Sequence, residues 1–199
     1  MDTSCIVLAG GRGLRLGQDK ALETIGQRSL LEQVLFQLSL FNSDILIVAA
    51  REQSYPQLHG YPNLRVVGDI YPSKGPLGGI YTGLKMSNSF YNLIVACDMP
   101  FLNRALLDYM IGVSAGFDLV VPRLGDMVEP LHAVYSRACL APIECLLKQG
   151  NLSIRELFTL VRVRYVEAEE IDRFDPGHLS FFNINAKTDL ERARRLIKE

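Results

Sequence analysis

Glycines and basic side chains follow one another in the stretch LAGGRGLRLGQDKAL, which runs from Leu8 to Leu22. The positions that could do chemistry are Gly10, Gly11, Arg12, Gly13, Arg15 and Lys20. Because glycine has no side chain, its backbone N–H group can approach phosphate oxygens closely. An arginine can bind two such oxygens at once, and a lysine supplies a point charge to a second phosphate. This stretch therefore predicts a loop that binds a ligand with several phosphates.

Two common phosphate-binding motifs do not fit this stretch. The dinucleotide motif G-x-G-x-x-G has Leu16 in place of its last glycine, and Gly17 comes one residue late. The next long strand ends at Ala49–Arg51, where an NAD-binding protein would place a carboxylate for the ribose. The P-loop pattern G-x-x-x-x-G-K-S/T has no match around Lys20. The alternatives are a long triphosphate-binding loop and a solvated turn with surface charges, and three glycines directly after a core strand favour the loop.

Two aspartates follow predicted strands. Asp98 comes directly after the apolar run Asn92–Cys97, and Asp69 comes after Leu64–Val67 and one glycine. Ligands of open α/β sheets bind at the carboxyl ends of the strands. Mg2+ prefers one or two protein carboxylates and keeps several water ligands. We therefore predict that Asp98 binds Mg2+. The alternative for Asp98 is a helix cap, which Pro100 disfavours, and the alternative for Asp69 is a turn residue.

The framework that positions these residues follows from the alternation of apolar runs with helix-period segments. Strands are predicted at Ser4–Leu8, Ile45–Ala49, Leu64–Val67, Asn92–Cys97, Asp118–Pro122, Leu131–Tyr135 and Val161–Val166. Helices are predicted after Ser29, within Gly75–Met86, after Asn103, at Arg137–Gln149, at Ser153–Thr159 and after Thr188. Ser29 and Thr188 each open a capping box, S/T-x-x-E. This order predicts a single three-layer α/β domain over residues 1–199, with a mostly parallel twisted sheet.

Composition narrows the classes of function. The 199 residues carry a net charge of −1, which does not suit a protein held on nucleic acid mainly by charge. No apolar run approaches the roughly 20 residues of a membrane span, and the start MDTSCIVLAGG lacks the basic residues of a signal peptide. We therefore expect a cytoplasmic protein with no nucleic-acid and no membrane partner. The four cysteines lack metal-binding spacing, so we interpret them as core residues.

Five stretches of the chain resemble a known family. LAGGRGLRLGQDKAL resembles the opening signature L-x-G-G-x-x-x-R-M-G-x-D-K of sugar-nucleotide-type nucleotidyltransferases. The other four stretches are GDIYPSKGPLGGIYTGL (68–84), ACDMPFL (96–102), EPLHAVY (129–135) and FFNINAKTDLERA (181–193). They occur in the family's order and span nearly the whole chain. Together they resemble the molybdenum cofactor guanylyltransferases, the MobA family.

The resemblance implies a reaction and a fold. Members of this family transfer GMP from GTP to the terminal phosphate of molybdopterin, release pyrophosphate and form molybdopterin guanine dinucleotide. Their fold is a Rossmann-like α/β domain, in agreement with the order of elements above. The implied ligands are GTP, Mg2+ and molybdopterin or its molybdenum-loaded form, with molybdoenzyme maturation proteins as further partners.

The resemblance also implies roles for individual positions. The nucleotide-binding positions are Leu8, Ala9, Gly10, Gly11, Lys20, Asp69 and Asp98. The catalytic positions are Arg15, Lys20 and Asp98, and Asp98 also holds Mg2+. Asn183 and Asn185 match positions linked to the pterin side or the reacting centre, and we expect them to bind the acceptor together with Glu129. We therefore expect the nucleotide in the N-terminal half of the domain and the acceptor in the C-terminal half.

Three of these features have a structural alternative. Glu129 and the proline after it could simply begin a strand. Asn183 and Asn185 alternate on an apparent strand and so share a face, but they could instead bond to backbone in a corner. The run Gly75–Gly79 fits either the lining of a cleft or a helix start packed closely on the sheet.

The chain departs from the family signature in two places. Leu16 stands where Met is usual, a change that conserves volume. Several members place an Asn near the end of the second strand to contact the nucleotide, and Val48–Arg51 contains none. Because the motifs do not fix the base, two rivals are CTP-dependent transfer to molybdopterin and another nucleotide with a sugar phosphate. A rival from another class of function is a non-catalytic, regulatory nucleotide-binding domain. Lys20 and Asp98 argue against this rival, because a domain that only binds a nucleotide has less need of a carboxylate that holds a metal.

Overall fold

The computed structural model of the chain describes residues 2–9, 20–50, 58, 60–61 and 63–197. The strands are β1 Thr3–Leu8, β2 Thr24–Ile25, β3 Arg28–Ser29, β4 Ile45–Ala49, β5 Leu64–Gly68, β6 Tyr91–Ala96, β7 Leu119–Leu124, β8 Met127–Val128, β9 His132–Ser136 and β10 Val163–Val166. The helices are α1 Leu30–Ser39, α2 Gly75–Met86, α3 Arg104–Gly112, α4 Leu140–Lys148, α5 Ile154–Leu160, α6 Ala168–Ile171 and α7 Lys187–Leu196. Each strand predicted from an apolar run is confirmed, with ends that shift by at most two residues.

One sheet contains every strand except β2 and β3, which pair with each other. Its order is β10-β7-β9-β6-β1-β4-β5, with β8 paired to β7. β1 runs parallel to β4 and β6, β4 to β5, and β7 to β10. β9 lies antiparallel between β6 and β7. The predicted mostly parallel sheet is confirmed, and the carboxyl ends of its parallel strands lie at one edge.

Alternating side chains divide the core between the two faces of the sheet. In β1, Cys5 and Val7 pack on the side covered by α1 and α3, while Ile6 packs on the side of α2, α4 and α5. Successive side chains of a strand point to opposite faces, so a strand covered on both sides is apolar throughout. The three-layer α/β fold is thereby confirmed. None of the helices described here has both the length and the apolar composition needed to cross a bilayer.

Side-chain caps fix the starts of α1 and α3. The Ser29 hydroxyl accepts from the N–H of Glu32 at 3.2 Å, and the Glu32 carboxylate accepts from the N–H of Ser29 at 2.7 Å. The capping box predicted for α1 is therefore confirmed. Asn103 caps α3 as predicted, because its side-chain oxygen accepts from the N–H of Leu106 at 3.1 Å.

The last helix begins earlier than its predicted capping box. α7 starts at Lys187, so Thr188 is already inside the helix. The carboxylate of Asp189 accepts from the N–H groups of Asn185 at 2.9 Å and of Ala186 at 2.8 Å. The predicted box at Thr188 is wrong, since Asp189 satisfies the first N–H groups of the helix from within its first turn.

Glycines let α2 lie directly on β1. A Cβ atom on Gly83 would lie 2.6 Å from Cγ2 of Ile6, and one on Gly79 would lie 3.3 Å from Cδ2 of Leu8. Real Cβ contacts are essentially never as short as the one at Gly83, and the one at Gly79 is tighter than most, so glycine favours this close approach of helix to strand. The close-packing interpretation of the glycine-rich run is confirmed at Gly79, and a cleft-lining role stays a prediction.

A small separate core joins α7 to the segment that follows the glycine loop. Its fully packed members are Ile25, Leu30, Ile184, Leu190 and Ala193. The guanidinium of Arg194 donates to the carbonyl oxygen of Thr24 at 3.0 Å, beside this cluster. The cluster therefore fixes the segment around Ile184 relative to the β2–β3 hairpin and the start of α1.

Candidate active site

The carboxyl edge of the sheet brings the predicted strand-end residues together. Ala9 follows β1 and Asp69 follows β5, while Asp98 lies two residues beyond β6. The strand order β5-β4-β1-β6 places the two aspartates on opposite sides of β1. Because neighbouring strands lie about 4.8 Å apart, the strands that carry the aspartates are roughly 14 Å apart. An elongated ligand lying across this edge could reach both carboxylates.

Hydrogen bonds extend the sheet past the ends of its strands. The N–H of Ala9 donates to the carbonyl of Val48 at 2.9 Å, and the N–H of Asp69 donates to the carbonyl of Ala49 at 2.8 Å. These bonds fix the backbone of both residues at the carboxyl edge. Leu8, the last residue of β1, is held there as well. Contact of these residues with a nucleotide stays a prediction.

One oxygen of the Asp69 carboxylate is held by α2. Oδ1 accepts from the hydroxyl of Thr82 at 2.7 Å and from the N–H of Tyr71 at 3.0 Å. The Thr82 hydroxyl in turn accepts from the N–H of Ile70 at 3.0 Å. The sequence indicated Asp69 but not Thr82, because a threonine inside a helix carries no pattern of its own. The orientation of the Asp69 carboxylate is thus set by a second element.

The antiparallel pairing of β6 with β9 brings Asp98 and Glu129 to the same place. Just past the paired region, the N–H of Ala96 donates to the carbonyl of Leu131 at 3.0 Å. Asp98 follows Ala96 by two residues, and Glu129 precedes Leu131 by two residues. Because the two segments run in opposite directions, both residues lie on the same side of this bond. The charge of Asp98 acts on the Glu129 carboxyl, so the two side chains are close enough to interact.

Glu129 holds its proton more tightly than an ordinary glutamate. Burial raises the pKa of its carboxyl, and the negative charge of Asp98 adds to the rise. Hydrogen bonds from the N–H of Leu131, at 3.2 Å, and from the side chain of Asn183 oppose the rise without cancelling it. A carboxyl group in such surroundings favours a nearby cation or a bound proton.

The segment that carries the two asparagines lies against Asp98. The N–H of Ile184 donates to the carbonyl of Asp98 at 3.0 Å. Asn183 is half-buried and hydrogen-bonds Glu129, whereas Asn185 is exposed. The segment forms no strand, so the predicted strand is wrong. Polar and apolar side chains alternate in this segment because Ile184 is buried in the core it shares with α7, and not because the segment pairs with a strand.

The basic loop lies outside the described residues. Gly10, Gly11 and Arg15 belong to it, and the side chain of Lys20 is also undescribed. The description resumes with a short 3-10 helix, in which Ala21 is buried in the core shared with α1. The phosphate contacts expected of the loop residues stay predictions.

Oxygen donors from three segments meet near the carboxyl end of β6. Asp98 and Glu129 supply carboxylates, and Asn183 supplies an amide group. These are hard ligands of the kind Mg2+ accepts, and Mg2+ needs few of them because it keeps several waters. Over the described ranges, no group of three or more His, Cys, Asp or Glu side chains could hold a metal ion by itself. This donor set fits Mg2+, whose binding by Asp98 stays a prediction.

Two buried polar side chains behind the site were missed by sequence reasoning. His132 is completely buried, and within the described part of the chain neither ring nitrogen has a hydrogen-bond partner. Its ring packs edge-on against Phe181, with 5.0 Å between the ring centroids. Asp175 is also buried and accepts from the N–H of Ser180 at 2.8 Å. Both support the segment that leads to Asn183. A histidine within an apolar strand was the signal available for the first of them.

The chain is similar in sequence to proteins of one family. A sequence-family model described as "MobA-like NTP transferase domain" matches residues 5–166. A protein named probable molybdenum cofactor guanylyltransferase, from Pelotomaculum thermopropionicum, is 38% identical over 189 residues, which cover 95% of this chain and 90% of that protein. A protein named molybdenum cofactor guanylyltransferase, from Desulfosudis oleivorans, is 37% identical over 195 residues, which cover 97% of this chain and 95% of that protein.

A solved structure shares the fold over almost its whole length. The crystal structure of molybdopterin-guanine dinucleotide biosynthesis protein A from Archaeoglobus fulgidus matches this chain with a TM-score of 0.85. The two sequences are 29% identical, and the match covers 98% of each chain. The arrangement of strands that brings Asp98 and Asp69 to one edge therefore belongs to a fold shared with that protein.

Proposed function

The chain belongs to the MobA-like NTP transferase family, and we propose that it transfers GMP from GTP to molybdopterin. The products are pyrophosphate and molybdopterin guanine dinucleotide. The resemblance drawn from the five motifs is confirmed by the family match and by relatives named molybdenum cofactor guanylyltransferase. The observation that carries the proposal is the meeting of Asp98, Glu129 and Asn183 at the carboxyl edge of the sheet.

In nucleotidyl transfer the protein must align two anions, the triphosphate of GTP and the terminal phosphate of molybdopterin. An oxygen of the terminal phosphate of molybdopterin attacks the α-phosphorus in line, and the bond to the pyrophosphate oxygen breaks. Positioning and offset of charge supply most of the rate enhancement in such a reaction. In our proposal, Arg15 grips oxygens of the triphosphate, and Lys20 stabilises the charge that moves onto pyrophosphate. The backbone of Leu8, Ala9 and the glycines after them lines the guanine and ribose side.

The carboxylates at the carboxyl end of β6 form the other part of the centre. We assign Asp98 to the binding of Mg2+ and Glu129 and Asn183 to the acceptor side. Mg2+, when bound, offsets negative charge on the phosphate oxygens. The raised pKa of Glu129 supports this assignment, because burial beside a second carboxylate leaves negative charge that a cation would offset.

The two substrates divide between the halves of the domain. The first half carries the glycine loop, Asp69 and Asp98, and the second half carries Glu129 and the two asparagines. The halves meet where the N–H of Ile184 donates to the carbonyl of Asp98. This junction supports a reacting centre at the boundary between nucleotide and acceptor.

The cellular setting belongs to the same proposal. Molybdenum-loaded molybdopterin is the alternative form of the acceptor, and molybdoenzyme maturation proteins are the expected recipients of the product. A cytoplasmic location and the absence of nucleic-acid and membrane partners rest on the net charge of −1 and the sequence pattern.

Pyrophosphate release tests the proposed reaction. The chain is incubated with Mg2+, molybdopterin and one of GTP, CTP, ATP or UTP, and released pyrophosphate is measured. We expect release with GTP to exceed release with the other nucleotides and to require molybdopterin. Preferred use of CTP would make the protein a cytidylyltransferase. GTP binding without release in any mixture would favour a regulatory nucleotide-binding domain.

A further inference from the structure

Thr82 bonds the loop after β5 rather than its own helix. It lies in the middle of α2 and is completely buried. Its hydroxyl donates to Oδ1 of Asp69 at 2.7 Å and accepts from the N–H of Ile70 at 3.0 Å. A helical threonine commonly turns its hydroxyl back to a carbonyl one turn earlier. Here both functions of the hydroxyl engage residues that directly follow β5.

These contacts leave one oxygen of Asp69 for a ligand. Oδ1 accepts from Thr82 and also from the N–H of Tyr71, at 3.0 Å. A carboxylate oxygen has about two lone-pair sites, so two donors fill it. Within the described residues no group donates to Oδ2. Asp69 is half-buried at the carboxyl edge of the sheet, so Oδ2 is its oxygen for a ligand.

One available carboxylate oxygen, Oδ2 of Asp69, suits a ligand group that offers one hydrogen-bond donor. The pairing edge of guanine carries two neighbouring N–H donors, which a carboxylate would bind with both of its oxygens. A ribose hydroxyl presents one O–H donor and matches one oxygen. We propose that Thr82 is a positioning residue that directs Oδ2 of Asp69 to a ribose hydroxyl of the bound nucleotide. The inference rests on the proposed function, because it takes a nucleotide at this edge as its premise.

The place and rigidity of Asp69 support a ribose contact. Asp69 lies across β1 from Asp98, where we place the reacting phosphate, and the ribose of a nucleotide comes between its phosphates and its base. The loop also packs on the backbone of α2. A Cβ atom on Gly78 would lie 2.7 Å from the carbonyl oxygen of Tyr71. A carboxylate held by a packed loop and a buried hydroxyl is well suited to discriminate between ligands.

The test is the preference of the full chain for GTP over its deoxy analogues. Calorimetric titration with Mg2+ present measures the Kd of GTP, 2′-deoxyGTP and 3′-deoxyGTP for wild type, Thr82→Val, Thr82→Ser and Asp69→Asn. Ser4→Ala is the matched control, because it also removes a buried hydroxyl contact, the 2.8 Å bond from Ser4 to Ser89. That contact lies at the amino end of β1, away from the site.

We expect the wild type to bind GTP about tenfold more tightly than one of the two analogues, as for a hydrogen bond to a charged group. In Thr82→Val the preference falls to about threefold or less, because GTP binding weakens while analogue binding does not. Thr82→Ser and Ser4→Ala keep the preference. Asp69→Asn reduces the preference, because a neutral amide replaces the carboxylate, and this variant keeps the ribose contact testable if Thr82→Val does not fold.

Two results would overturn the inference and leave the proposed function standing. One is a wild type that binds all three nucleotides equally. The other is a preference in Thr82→Val that equals the wild-type preference, which would mean that Thr82 only ties the loop to α2. A wild-type chain that does not bind GTP would overturn the proposed function and the inference with it.

Discussion

Two carboxylates at one point define the chemistry of the site at the scale of residues. The pKa of Glu129 is raised chiefly by burial, and the charge of Asp98 adds to the rise. The side chain of Asn183 and the N–H of Leu131 satisfy only part of this negative charge. An anionic phosphate would be repelled here unless a cation accompanied it. Asp98 is the aspartate whose charge acts on Glu129, so we assign the metal to Asp98 rather than to Asp69, whose Oδ1 is held by a hydroxyl and an N–H group.

Replacement of Asp98 by asparagine tests the metal assignment. Asp98→Asn keeps the shape of the side chain and removes its charge. We expect turnover to fall on the order of 10³-fold or more, because charge at the reacting phosphate is no longer offset. Thermal unfolding should change little, since the apolar residues of β6 are untouched.

Asp108→Asn is the control for Asp98→Asn. Asp108 is exposed on α3, where it forms an ion pair with Arg104 at 3.5 Å. Its replacement should leave turnover at the wild-type level. Pyrophosphate release over a range of Mg2+ concentrations measures both variants, and near-normal activity of Asp98→Asn would remove the metal role.

At the scale of elements, the hydrophobic pattern predicted where strands lie but not how they run. A strand that is buried on both faces is a continuous apolar run, such as Ile45–Ala49. Such a run can be recognised in the sequence without knowing which strand lies beside it. β9, His132–Ser136, is buried at every position and gives the same kind of run although it is antiparallel. The meeting of Glu129 with Asp98 depends on that direction. Asp98 could therefore be predicted as a strand-end residue, whereas its partner in the second half could not.

The segment before α7 shows why a short alternating pattern can mislead. Asn183, Ile184 and Asn185 alternate polar and apolar side chains, which is also the pattern of a half-buried strand. In the structure, Asp189 accepts from the N–H groups of Asn185 and Ala186, just before α7 begins at Lys187. Ile184 is buried against α7 and the β2–β3 hairpin. One buried side chain is enough to produce the pattern, and three residues are too few to distinguish the two cases.

Close packing of α2 on β1 predicts a large effect of a small substitution. In Gly83→Ala the added Cβ would lie 2.6 Å from Cγ2 of Ile6, which is itself completely buried. The buried Ile6 side chain or the backbone around it must shift, and we expect the free energy of unfolding to fall by about 1–3 kcal/mol. This loss should exceed the gain in helix propensity from glycine to alanine, about 1 kcal/mol.

Gly112→Ala is the matched control for Gly83→Ala. Gly112 is the last residue of α3, and apart from its chain neighbours and its own helix backbone no heavy atom of the described residues lies within 4 Å of an added Cβ. Urea denaturation of wild type and both variants measures the effect. Gly112→Ala should match or exceed the wild-type stability, and the same result for Gly83→Ala would mean that α2 and β1 accommodate the added Cβ without cost.

At the scale of the whole molecule, a buried histidine makes stability depend on pH. Burial lowers the pKa of His132 to about 4 from its usual 6.5, although the charge of Asp175 acts in the opposite direction. The unfolded chain therefore binds this proton at a higher pH than the native protein does. The native state keeps its full advantage above pH 6.5 and loses it as the pH falls toward 4. The loss attributable to this residue is about 3 kcal/mol at most.

His132→Phe tests this pH dependence. The variant keeps an aromatic ring against Phe181 but has no titrating group. Urea denaturation at about pH 7.5 and about pH 5 gives the free energy of unfolding at each pH. We expect the wild type to lose more stability between the two conditions than the variant loses. Equal losses would mean that other groups account for the acid sensitivity.

The division of the domain between two substrates is also a property of the whole molecule, and the asparagines test it. Doubly wound folds bind ligands at the carboxyl edge, where the strand order switches. Asn183 contacts Glu129, and its neighbour Ile184 bonds to Asp98, so it stands where the halves meet. If the asparagines bind the acceptor, Asn183→Ala and Asn185→Ala change the Kd of GTP by no more than about threefold, roughly 0.7 kcal/mol in binding free energy. Product formation with molybdopterin should fall much further. GTP titration beside turnover measures both quantities, and GTP affinity that falls in step with turnover would place the asparagines with the nucleotide or the fold.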